Sequence, residues 1–275
     1  MNLERYSWPA LACLMMATAH AEGSRHSAAV SVQADEDGNR QGLSRLALPL
    51  GDHAWIQGSI GRTELASVPR DISTVGAAVG IGNQRVDAGV EFVRRTADDQ
   101  WQQQDWAAAL NWHGARGGVG ADGFLRSASS NKESAHSQGF GLHGDLAFTP
   151  QAKVFGGVMR YAYDFSASST TADSHTPLSS LLLGSTTALS SVWRDQAYID
   201  RSYRIGASYR LQSAAVNAQY FRDRAANTGE ALNTLQLQAE FLLAQQWLVS
   251  PLLGYSSGDS SRRSAYAGLS LGYMW

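Results

Sequence analysis

The sequence predicts an all-β fold, a transmembrane antiparallel up-and-down β-barrel of about fourteen strands. Three observations lead there. Apolar and polar residues alternate along most of the chain, tight turns alternate with mostly longer polar connections, and aromatic residues sort to two levels. Strict alternation is the signature of a strand with one apolar and one polar face. A soluble sandwich gives no reason for connection lengths to alternate, whereas short turns on one side and long loops on the other are the pattern of a membrane barrel.

The alternation is clearest in four stretches. Val86, Ala88, Val90 and Phe92 oppose Asp87, Gly89 and Glu91. Phe140, Leu142, Leu146 and Phe148 oppose Gly141, His143 and Asp145. Tyr203, Ile205, Ala207 and Tyr209 oppose Asp200, Ser202, Arg204, Ser208 and Arg210. Leu235, Leu237, Ala239, Phe241 and Leu243 oppose Gln236, Gln238 and Glu240. Extended to the whole chain, the pattern predicts strands near 27–36, 41–50, 54–63, 72–82, 85–95, 103–112, 118–128, 137–148, 153–165, 196–211, 214–224, 231–243, 247–257 and 263–275. Twelve strands is the alternative, since the first hairpin has the weakest alternation. An even count puts both termini on the short-turn side, the periplasmic one.

Tight turns are expected at 51–53, 83–84, 113–117, 149–152, 212–213 and 244–246, with polar loops between them at 96–102, 129–136 and 166–195. Trp55, Trp112, Phe148, Trp247 and Trp275 fall beside the short turns. Trp106, Tyr163, Phe165, Tyr198, Tyr255 and Tyr266 fall toward the long loops. Amphipathic rings favour the two membrane interfaces, so two girdles are expected.

Composition bounds the function. The chain has 275 residues, 44% of them hydrophobic, with 27 glycines and a net charge of −2. No electrostatic case for nucleic-acid binding exists at that charge, and no run is long and apolar enough for a membrane-spanning helix. Residues 1–21 read as a signal peptide: Arg5, an apolar stretch from Trp8 to Ala17, then the small-x-small triplet Ala19-His20-Ala21. Residues 22–275 then form the barrel domain. Cys13 is the one cysteine and lies within the export segment, so the mature chain is expected to lack disulfides, thiol catalysis and thiolate metal sites.

The last ten residues, Tyr266 to Trp275, place Ala267, Leu269, Leu271, Tyr273 and Trp275 on one face and end in an aromatic. This closing strand resembles the C-terminal signature of Gram-negative outer-membrane β-barrel proteins, porin-like and of 12–14 strands, with tryptophan where phenylalanine is usual. The resemblance implies an integral protein of the cell outer membrane. It also implies recognition of Tyr273 and Trp275 by the barrel assembly machinery. Lipid bilayer and lipopolysaccharide are the expected partners, with small hydrophilic solutes as the cargo.

By alternation, the lumen is expected to be lined by Arg62, Asp87, Glu91, Asp105, Asp122, Arg126, Asp145, Arg160, Asp164, Asp200, Arg204, Arg210 and Glu240. An arginine facing lipid at the midplane costs roughly 2–4 kcal/mol, which is the reason for that phase. With both signs present, strong ion selectivity is not expected. Residues 166–195 carry Leu178, Leu181, Leu182, Leu183 and Trp193 in an otherwise Ser/Thr-rich loop, which suits a lid or constriction.

No cofactor, metal centre or catalytic constellation is predicted. His53 and His113 fall in turns, His136 and His175 in loops, and His143 faces inward near Asp145, as in a polar network. The acidic triplet Asp35-Glu36-Asp37 reads as a solvated loop edge. The leading expectation is a small monomeric channel for passive diffusion of small hydrophilic solutes. One rival is a lipid-modifying hydrolase, which needs a His–Ser pair converging on the lipid-facing wall. The other is a structural or export-accessory barrel.

Overall fold

The computed structural model describes residues 26–65, 70–97, 101–130, 133–167, 199–225, 229–244, 246–258 and 263–275. The strands are β1 (Ser27–Asp35), β2 (Arg40–Pro49), β3 (Ala54–Leu65), β4 (Arg70–Gly82), β5 (Val86–Ala97), β6 (Gln102–His113) and β7 (Gly117–Ser130). They continue as β8 (Glu133–Ala147), β9 (Ala152–Ala167), β10 (Ile199–Arg210), β11 (Ala214–Ala225), β12 (Ala231–Leu243), β13 (Trp247–Gly258) and β14 (Arg263–Met274). Each pairs antiparallel with its sequence neighbours, and β1 closes on β14 with Ser27 opposite Met274 and Asp35 opposite Tyr266. Closure removes every free sheet edge, the condition for a sheet to sit in hydrocarbon. The first hairpin forms, which decides the count in favour of fourteen.

The short turns are built by local side-chain bonds. Asn83 Oδ1 accepts from the backbone N–H groups of Arg85 (2.8 Å) and Val86 (3.0 Å). Thr149 Oγ1 accepts from those of Gln151 (3.2 Å) and Ala152 (3.0 Å). Such bonds let Asn and Thr mimic a backbone turn. At the opposite end, Asp35 accepts from the backbone and side-chain nitrogens of Asn39 at 2.9 and 2.8 Å. Asp35, the first residue of the acidic triplet, thus holds the turn.

At the long-loop end the strands run further than alternation predicts. β7 and β8 pair up to Ser130 and Glu133, through the expected loop 129–136. Above the membrane both faces of a strand are wet, so polarity stops marking phase while backbone pairing continues. The connection 168–198 lies outside the described residues, and with it Leu178, Leu181, Leu182, Leu183, Trp193, His175 and Tyr198.

The outer wall is an apolar belt that includes Ile56, Ile60, Val75, Val79, Leu110, Leu125, Leu142, Ile205, Leu237 and Leu269, all exposed. Trp106, Tyr203 and Tyr255 ring it toward the long loops, and Trp112, Phe148, Trp247 and Trp275 toward the short turns. Around the closing strand, Tyr273 packs on Trp247 at 4.7 Å and stacks with Trp275 at 5.8 Å, while Trp275 stacks on His26 at 5.7 Å. A barrel with an apolar belt between two aromatic girdles is a membrane-spanning one.

Three aromatics expected in the girdles turn inward instead. Tyr163 points into the mouth, and Trp55 and Tyr266 are buried inside. Trp55 and Tyr266 each lie over the glycine directly across the neighbouring strand: Trp55 over Gly80, Tyr266 over Gly254. A Cβ on Gly254 would sit 1.9 Å from Tyr266 Cζ, and one on Gly80 would sit 2.2 Å from Trp55 Cζ2. Phe124 over Gly139 and Phe155 over Gly206 repeat the device. The glycines give bulky rings a place to lie flat on the inner wall, which periodicity alone does not disclose.

Candidate functional site

The inner wall is polar and charged, and its densest part spans β5 to β8. Asp105 on β6 sits between Arg95 on β5 and Arg126 on β7, its direct cross-strand partner. Arg126 donates through Nε at 2.7 Å and Nη2 at 3.2 Å, Arg95 donates through Nη1, and Gln103 adds its amide at 3.2 Å. The side chains of Arg95 and Asp105 are each 4% exposed, so the carboxylate is fully enclosed by its partners. Arg126 also lies over the Phe124 ring, 5.3 Å from its centroid, a cation–π contact.

Nearer the short turns, a chain of hydrogen bonds runs across the same four strands. His113 Nε2 meets Asp87, and Asn111 Nδ2 donates to Asp87 at 2.8 Å. Asn111 Oδ1 then accepts from His143 Nε2 at 2.8 Å, and His143 Nδ1 donates to Asp122 at 2.7 Å. Both ring nitrogens of His143 are thus held, one by Asp122 and one by Asn111, not by Asp145. His113 ends β6 and is bonded, where the sequence suggested a solvated turn.

Apolar side chains share this wall. Ala107, Phe124, Met159 and Phe221 form one buried cluster with Tyr161 against it. Ile72, Trp101, Ala128 and Ala135 form another at the long-loop mouth, joined by Leu65, Ala97 and Tyr163. Trp101 lies in a connection, so strand phase gave no sign that it folds into the mouth.

Of the residues expected to line the lumen, Asp87, Glu91, Asp105, Asp122, Arg126, Asp145, Arg204 and Glu240 share the alternation of buried inner positions. Arg204 lies 5.6 Å from the centroid of the inward Phe155 ring. Arg210 keeps the same phase and is exposed at the short-turn rim, while Asp200 sits in a bulge at the other end of β10 with its carboxylate on Arg201 of the outer face. Arg45 and Arg95, absent from the sequence expectation, share the inner phase of β2 and β5.

Three assignments are corrected: Arg62, Arg160 and Asp164 lie on the outer face. Arg62 follows Ile56 and Ile60 in phase and bonds Asp71 on β4. Arg160 follows Val154 and Val158, and Asp164 follows in turn. The cost of an outward charge falls to roughly 0–1 kcal/mol near the interface. At the rim, then, lipid no longer forces a charge inward.

The outer wall also carries a polar row in direct register: Gln104 on β6, Ser127 on β7, His136 on β8 and Asp164 on β9. It brings together the residue types a lipid hydrolase needs, on the wall where such an enzyme needs them. Among the described residues, however, no hydrogen bond links His136 to Ser127 or Asp164, so no nucleophile–base pair is assembled in this conformation. Below the row, a groove of about 590 Å³ is cut into the outer wall between Trp106, Leu125 and Phe140.

Solved outer-membrane proteins share the architecture. A bacterial polysaccharide outer membrane secretin superposes with a TM-score of 0.54 at 10% identity, over 91% of this chain and 98% of that one. The outer membrane protein Omp33 of Acinetobacter baumannii gives 0.51 at 7% identity, over 92% and 98%. A KdgM porin gives 0.48 at 7% identity, over 90% and 98%. No protein-family model matches the chain, and no curated protein matches its sequence. At these identities the likeness is one of fold. The chain is a closed β-barrel of fourteen antiparallel strands, the fold of these outer-membrane proteins, and no narrower family follows.

Proposed function

We propose that the barrel is a narrow channel through which small hydrophilic solutes diffuse across the outer membrane. The observation that carries this reading is the division of the two walls. Side chains facing out are apolar through the belt, while those facing in include Gln57, Thr74, Asp87, Asp122, Asn217, Gln219, Gln236 and Gln238. A polar interior is what a water path needs, and these side chains, 1–6% exposed, pack closely enough to keep that path narrow. The enclosed Arg95–Asp105–Arg126 cluster and the Trp101 cluster at the mouth narrow that path on one side, favouring small solutes over large ones.

The reading predicts solute-dependent swelling of proteoliposomes. Vesicles holding the refolded barrel are placed in isotonic arabinose, glucose or raffinose, and light scattering is followed. Swelling is expected to be faster than in empty vesicles for arabinose and slower with each larger sugar. Rates equal to those of empty vesicles for all three would remove the proposal.

A further inference from the structure

The charges that turned out to face outward are not scattered. Arg160 on β9, Arg201 on β10 and Arg224 on β11 are direct cross-strand neighbours on the outer face. Arg222 stands one step nearer the middle of the barrel, opposite Tyr203. With strands about 4.8 Å apart, the three aligned residues span only about 10 Å. Like charges directly opposite one another destabilise a sheet. One carboxylate answers them: Asp200 lies 3.1 Å from Arg201 Nε. Arg160, Arg222 and Arg224 are exposed and have no acidic partner among the described residues.

A second observation lies beside the row. The 590 Å³ groove reaches Arg160. Its floor is made by small residues, Ala108, Gly123 and Ala162, and its sides by Trp106, Leu125 and Phe140. A Cβ on Gly123 would meet only the Gly139 carbonyl, 4.0 Å away, so the floor is open. Phe140 is the cross-strand neighbour of both Gly123 and Arg160, which makes groove and arginine row one continuous surface. Tyr203 and Tyr255 stand just below the row and mark the membrane interface.

We propose that the arginine row and the groove together bind one phosphorylated, acylated lipid of the outer leaflet, the lipid A part of lipopolysaccharide. A headgroup phosphate takes the place of the missing carboxylates, accepting charge-assisted bonds from Arg160, Arg201, Arg222 and Arg224. One acyl chain lies in the groove between Trp106, Leu125 and Phe140. The height of the row fits the outer leaflet, because it stands at the long-loop end of the barrel.

Native mass spectrometry of the refolded barrel tests this, with released lipid counted after exchange into neutral detergent. One lipid A per barrel is expected to be retained. The double variant Arg160→Gln/Arg224→Gln should lower retention about tenfold or more, while Arg62→Gln, on the outer face of β3, should leave it unchanged. Gly123→Leu should lower it with the arginines intact, by filling the groove. Heat-modifiable migration on gels reports that each variant is folded. The proposal is overturned if dephosphorylated lipid A or phosphatidylglycerol is retained equally well. It is also overturned if the folded double variant retains as much as the parent, or if Arg62→Gln loses as much as the double variant.

Discussion

Asp105→Ala is expected to destabilise the barrel by about 3–5 kcal/mol, because it leaves two buried guanidinium groups side by side without their counter-charge. Arg95 is 4% exposed and Arg126 10%, so water can do little to replace the lost carboxylate. Urea unfolding in micelles, followed by tryptophan fluorescence, measures the change. The triple replacement Arg95→Met/Asp105→Leu/Arg126→Met should recover most of the loss, since removing a buried charge cluster whole is far less costly than breaking it. If Asp105→Ala shifts stability by under about 0.5 kcal/mol, the range of an ordinary surface change, the enclosed cluster does not exist as described.

Ile205→Arg should cost about 2–4 kcal/mol in a lipid bilayer, the penalty for an arginine on the lipid-facing wall near the midplane. Ile205 is 63% exposed and sits midway along β10, between Gly156 and Tyr220 on the neighbouring strands. The same change at Ala265, outward near the long-loop end of β14, should cost only about 0–1 kcal/mol. Equilibrium unfolding in thin-bilayer liposomes compares the two. Equal costs would mean that the belt does not face hydrocarbon. The contrast also explains why Arg62 and Arg160 stand outward at the rim and, among the described residues, no arginine stands outward at mid-belt.

Much of this architecture was legible because a membrane imposes one simple rule, apolar outward, on every strand it touches. Val86–Phe92 and Leu235–Leu243 declare their phase in the sequence, and both hold it in the barrel. The rule lapses where lipid ends. Charge alone places Arg160 and Asp164 inward, and polar surroundings place His136 in a loop. In the structure β8 and β9 simply continue past the interface. Inside, the rule says only that a residue faces in. It does not say which residue it meets.

The inner partnerships depend on register, which joins residues far apart in the chain. Arg126 reaches Asp105, His143 reaches Asp122 and Asn111, and Trp55 lies on Gly80. Alternation places each of these on a face and leaves its partner open. The arginine row on the outer wall is the same kind of feature. Arg160, Arg201 and Arg224 come from three strands, and only cross-strand pairing shows them to be neighbours.

Current through a planar bilayer holding the refolded barrel tests the central claim most directly. The account predicts discrete conductance steps, with a reversal potential near zero in a potassium chloride gradient because the inner wall carries both signs of charge. It further predicts a shift toward anions in Asp105→Asn, where Arg95 and Arg126 lose the carboxylate between them. Folded barrel that inserts and yields no steps above the bare bilayer would contradict it.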